Sequence, residues 1–145
     1  MKRLMLAGVV ALLAGSAVQS NAKPGLVWGP GPPALPKGAK LAVVSGNPEQ
    51  AGPFVIQLRF PPGYEVPPHR HPADEHVKVV NGALTLGMGP VMGEGRKVVL
   101  GRWDTAVAPA NMPHYASTRI GATVQVSAQG PFRITYVNPT DDPRL

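Results

Sequence analysis

Glycine and proline interrupt this chain so often that, beyond residue 22, the longest stretch free of both is the nine residues Ala73–Asn81. An average helix runs about 11–12 residues, and an interior Gly or Pro costs it about 1 to 3 kcal/mol. No ordinary long helix fits between these interruptions, whereas strands of about five or six residues fit throughout. The runs between them read as strands. Phe54–Phe60 alternates, with Phe54, Ile56, Leu58 and Phe60 on one face and Gln57 and Arg59 on the other. Lys97–Leu100, Thr105–Ala108, His114–Thr118, Thr123–Ser127 and Phe132–Val137 are further short β-rich segments. Many short strands with frequent turns predict an all-β sandwich or small barrel.

A chain of 145 residues is one domain by length. With 43% hydrophobic residues it has enough apolar material for a packed core. It has no cysteine, which excludes disulfides, a thiol nucleophile, thiolate zinc sites and iron–sulfur clusters. Any metal must sit on histidine and carboxylate.

Residues 1–22 have the layout of a secretory signal peptide. Lys2 and Arg3 precede the apolar run Leu4–Ala14, which is too short to span a bilayer, and Ser20-Asn21-Ala22 supplies the small residues of a cleavage site. The expected location is secreted or periplasmic, with no transmembrane segment once the leader is removed. Its removal lowers the formal charge from +6 to +4. The remaining cations are scattered, with no basic stripe interleaved with aromatics, so nucleic acid is not the expected partner. Residues 23–40 form a Pro/Gly-rich arm. The arm reads either as a loose linker or, through Trp28 and Leu35, as a segment lying on the barrel of residues 41–145.

Asn81-Gly82 lies between the β-rich runs Val77–Val80 and Ala83–Leu86, the arrangement of a two-residue hairpin. Pairing Val80 with Ala83 sets Val79 opposite Leu84, Val77 opposite Leu86 and Glu75 opposite Met88. That register places Glu75 on an apolar face, where a carboxylate needs a partner or a metal.

Three of the four histidines fall in His69-Arg70-His71-Pro72-Ala73-Asp74-Glu75-His76. In a strand His69 and His71 project to one side, and a bend at Pro72 brings Glu75 toward them. Imidazole and carboxylate together suit first-row divalent metals. His76 shares the outward face with Lys78 and is expected outside the cluster.

Gly63, His69, His71, Glu75 and Gly82 stand at spacings of five, one, three and six intervening residues. This frame resembles the first motif of the cupin family at every fixed position. Pro109-Ala110-Asn111-Met112-Pro113-His114 resembles the second. It departs from the family pattern at Asn111 and Trp103, where Gly is usual, and at Thr118, where Asn is common. The chain is most similar to small secreted bacterial single-domain cupins.

The resemblance implies a cupin-type double-stranded β-helix, or jelly-roll barrel, with His69, His71, Glu75 and His114 holding one divalent metal ion inside it. Zn, Mn, Fe, Ni and Cu all suit such a ligand set. Glu75 is also a candidate base. Phe60, Val77, Val79, Leu84, Leu86, Met88 and Met112 are the candidate apolar walls of a substrate pocket, with Phe60 and Met88 equally suited to plain core. The implied partner is a small-molecule substrate or ligand. Two functions follow: a small metalloenzyme of dioxygenase, isomerase or lyase type, or a non-catalytic metal- or ligand-binding protein of the cell envelope. Exposed sheet edges also suit a homodimer.

Overall fold

A computed structural model describes residues 25–145. The leader expected at residues 1–22 lies outside the described residues. Eleven strands follow one another: β1 (Gly29–Pro30), β2 (Lys40–Ser45), β3 (Gly52–Phe60), β4 (Glu65–Arg70), β5 (Glu75–Gly82), β6 (Leu84–Met88), β7 (Arg96–Leu100), β8 (Thr105–Ala108), β9 (His114–Ser117), β10 (Ala122–Gly130) and β11 (Thr135–Tyr136). Among the described residues the only helix is a single 3-10 turn, Pro139–Asp141. The expected His114–Thr118 strand stops at Ser117, and only Thr135–Tyr136 of the expected Phe132–Val137 strand pairs.

The strands form two antiparallel sheets, ordered β1-β2-β3-β10-β5-β8 and β11-β4-β9-β6-β7, which pack as a jelly-roll sandwich. The alternation along β3 turns Phe54, Ile56, Leu58 and Phe60 into the core. Val124 and Val126 on β10 and Val77 and Val79 on β5 continue the same inner face. Leu84 and Leu86 on β6 face them from the second sheet.

The Asn81-Gly82 hairpin does not form. β5 has both hydrogen-bonding edges taken, by β10 and β8, and β6 by β9 and β7. Gly82, at φ +77°, instead turns the chain from one sheet to the other. A Cβ there would meet the Gly121 carbonyl at 2.1 Å, and Ala83 N–H donates to that same carbonyl at 3.3 Å. The β5–β6 and β9–β10 corners therefore cross side by side, which only a residue without a side chain permits. The expected register fails with the hairpin. Glu75 stands opposite Ala108, while Met88 stands opposite His114 and Arg96. The inner face survives this error, because Val79 and Leu84 both point into the sandwich from facing sheets.

Candidate metal centre

The four residues come from both sheets. His69 on β4 lies opposite His114 on β9 in the ladder, so their side chains share one face. His71 follows β4 directly, and Glu75 opens β5 in the other sheet. The Pro72–Asp74 bend carries the chain across the sandwich and closes the cluster. One ligand atom from each of His69, His71, Glu75 and His114 lies within 4.8 Å of the others, and all four residues are buried. His76 is exposed on the outer face.

Each imidazole is oriented by a backbone carbonyl. His69 Nδ1–H donates to Pro67 at 2.7 Å, His71 Nδ1–H to Arg133 at 2.8 Å and His114 Nδ1–H to Met112 at 3.0 Å. A carbonyl oxygen only accepts, so each Nδ1 carries a proton, and the neutral form of each ring has its lone pair on Nε2. Glu75 Oε2 lies 3.2 Å from His114 Nε2 and 3.4 Å from His71 Nε2. His71 Nε2 is buried without a hydrogen bond. With the rings neutral, three lone pairs and a carboxylate facing one another repel unless a proton or a metal ion sits among them. The donor set therefore fits a divalent metal held by His69, His71, Glu75 and His114, each imidazole fixed through its far nitrogen as metal-binding histidines commonly are.

Without a metal the same geometry perturbs the titrating groups. Burial, reinforced by His114 and His71, pushes His69 down to about 3. Burial opposes charge on His71, but contact with Glu75 outweighs it and raises its value. Burial would likewise raise Glu75, yet its contacts with His114 and His71 hold it well below the usual carboxylate range.

A cavity of about 40 Å³ opens onto the cluster. Of the candidate walls, Phe60, Val77, Leu84 and Leu86 line it. Val79 is core behind it, Met88 packs partly buried against the core, and Met112 is 44% exposed. Met112 precedes the strand that carries His114 and contributes its carbonyl to that histidine, which leaves its side chain in solvent. Sequence reasoning missed Phe132 and Ile134, and it left the place of Leu35 open; all three line the cavity. Phe132 stacks on the His71 ring at 5.1 Å. It lies some 60 positions from His71 in sequence, so no local pattern announces the pair. The hydroxyls of Tyr64 and Tyr136 donate to the Pro36 and Ala34 carbonyls, and Trp28 lies under the Arg59 guanidinium at 4.1 Å, so the described part of the arm packs on the barrel.

A family model for the cupin domain matches residues 57–126, a span that includes all four clustered residues. The chain belongs to the cupin family. Solved structures agree with this cupin fold. The polyketide cyclase RemF from Streptomyces resistomycificus superposes with a TM-score of 0.60 at 21% identity, over 73% of this chain and 75% of that one. KdgF from a Halomonas species gives 0.54 at 22% identity, over 72% of this chain and 86% of that one. An RmlC-like cupin from Shewanella frigidimarina gives 0.54 at 22% identity, over 63% of this cupin and 76% of its own chain. No curated protein matches the sequence.

Proposed function

We propose that this cupin is a divalent-metal protein of the cell exterior or periplasm and acts as a small metalloenzyme, of dioxygenase, isomerase or lyase type. The observation that carries the metal reading is the convergence of three Nε2 atoms and the Glu75 carboxylate, with His71 Nε2 buried and making no hydrogen bond. Three imidazoles and one carboxylate fill a tetrahedral zinc, but on a metal of octahedral preference they leave two positions for a ligand, which is what a catalytic reading needs. A structure described as oxalate oxidase shares the fold at 22% identity, which supports the enzyme class without naming a substrate.

When bound, the metal supplies Lewis acidity toward an oxygen of the ligand. The protein does the rest. The three carbonyl-anchored imidazoles hold their lone pairs in place, so little reorganisation accompanies binding. Glu75, held ionised, enters the site as an anion and offsets part of the metal charge. The apolar walls exclude water from one side of the ligand.

A second reading is favoured by one feature: among the described residues, the four clustered ones are the only polar residues lining the cavity. Among the described residues no separate acid or base lines the cavity, which suits a non-catalytic binder equally well. Elemental analysis of protein purified from its native compartment should find one divalent metal per chain, lost in His69→Ala. Metal-free native protein that refuses added metal would overturn the proposal. Oxygen uptake or turnover absent in His69→Ala supports the enzyme; tight stoichiometric ligand binding without turnover supports the binder. Export predicts Lys23 as the N-terminus of the mature chain by mass spectrometry, and an intact Met1 on exported protein would refute it.

A further inference from the structure

The cavity is closed on one side by the N-terminal arm. Leu35, 6% exposed, is part of its wall although it lies far in sequence from every other wall residue. The arm is held by an ordered set of bonds. Gly31 N–H donates to the Ala39 carbonyl at 2.9 Å, and a Cβ on Gly31 would meet that oxygen at 2.8 Å, so the base of the strap lies flush on the chain. Leu35 N–H donates to Pro32 at 2.9 Å, closing a turn that aims its side chain inward. The carbonyls on either side of Leu35 each accept from a buried tyrosine hydroxyl: Ala34 from Tyr136 at 2.7 Å and Pro36 from Tyr64. Two side chains rooted in the barrel thus clamp the backbone immediately before and after one leucine.

We propose that Leu35 is the size-determining residue of this cupin, a plug clamped by Tyr64 and Tyr136 that restricts the metal to ligands with a compact oxygen head and a short, uncharged apolar remainder. The inference rests on the metal reading above. Two observations set the ligand class. The volume of about 40 Å³ is small beside the roughly 300–1,000 Å³ of ordinary small-molecule sites. Among the described residues, the wall beyond the four clustered ones carries no polar side chain to receive a hydroxyl, amine or second carboxylate, so a sugar or a dianion would leave polar groups unpaired. The ligand is anchored at the metal end alone.

The test loads the full chain with cobalt(II) and follows its visible absorption during titration with acetohydroxamate and benzohydroxamate, which share a chelating head and differ in bulk. Wild type should respond to the first and not to the second. Leu35→Ala should bind benzohydroxamate at least ~10-fold more tightly than wild type, the scale on which apolar pockets discriminate size. Leu35→Phe should weaken acetohydroxamate by a similar factor. Tyr136→Phe leaves the plug in place but removes one clamp, and should speed extraction of cobalt by EDTA about 3- to 10-fold. Benzohydroxamate binding equally to wild type and Leu35→Ala, with cobalt bound in both, overturns the plug alone. Failure of the wild-type chain to take up cobalt overturns the metal reading and the plug with it.

Discussion

Glu75 Oε2 lies 3.2 Å from His114 Nε2, although they stand 39 positions apart in sequence and belong to different sheets. The contact is the point at which the two faces of the sandwich exchange charge rather than apolar surface. With Nδ1 of His114 committed to the Met112 carbonyl, the pair is favourable only when a proton or a metal lies between the two atoms.

Removing either partner should therefore abolish the site's preference for a cation. Glu75→Gln and His114→Ala should each lower divalent-metal affinity by more than about 100-fold, beyond the loss typical of residues that merely support a ligand. Competition titration against a chromophoric chelator measures it. Affinity within a factor of a few of wild type would count against both as ligands.

Acid should destabilise the metal-free protein. His69 sits at about 3 when folded against 6.5 ordinarily, so between those values the unfolded chain binds a proton that the folded one does not. Its contribution is present above pH 6.5 and is lost as pH falls toward 3. Glu75 is also depressed, so it acts with the same sign below its ordinary value of 4.5. His71 is raised and acts oppositely, its contribution being lost as pH rises through its folded value. The urea midpoint of metal-free protein should fall steadily from about pH 6.5 to about pH 4.5, and His69→Gln should flatten that limb. A wild-type profile already flat over this range would contradict the burial argument.

Gly87 is required by a neighbour rather than by a turn. A Cβ on it would lie 2.0 Å from the Tyr115 ring, which is 2% exposed and held by its hydroxyl on the Glu94 carbonyl. Gly87→Ala should cost about 3 kcal/mol by overpacking. In a Tyr115→Ala background the same change should cost less than about 1 kcal/mol, because the clash is gone. Equal costs in both backgrounds would place the strain elsewhere.

Trp103 holds φ +75° while 55% exposed. The left-handed conformation costs a bulky residue about 1 to 3 kcal/mol, against about 0.5 to 1 kcal/mol for the extra chain entropy of glycine. Its contacts with Lys78 at 5.2 Å and Arg102 at 4.8 Å are exposed cation–π pairs and return little. Trp103→Gly should raise the melting temperature, with a gain of about 0.5–1 kcal/mol. Trp103→Ala keeps the Cβ and should not. A lower melting temperature for the glycine variant would show that the indole contacts outweigh the strain.

Much of this cupin was legible without coordinates, because its decisive signals are local. Dense Gly and Pro exclude long helices wherever they occur, and alternation along Phe54–Phe60 assigns an inner face to any strand that contains it. The His69, His71 and Glu75 spacing brings three candidate ligands within one bend. Tertiary structure alone decided which strands pair. Asn81-Gly82 satisfies the backbone demands of a hairpin, but Gly82 serves a corner between sheets, since β10 and β8 already occupy both edges of β5. Strand pairing is a competition among all edges of the chain, and no local window contains the competitors. The same holds for Leu35 and Phe132, which reach the cavity from opposite ends of the chain. Only closure of the sandwich decides that an arm leucine and a loop phenylalanine stand over the four residues whose spacing had marked them from the start.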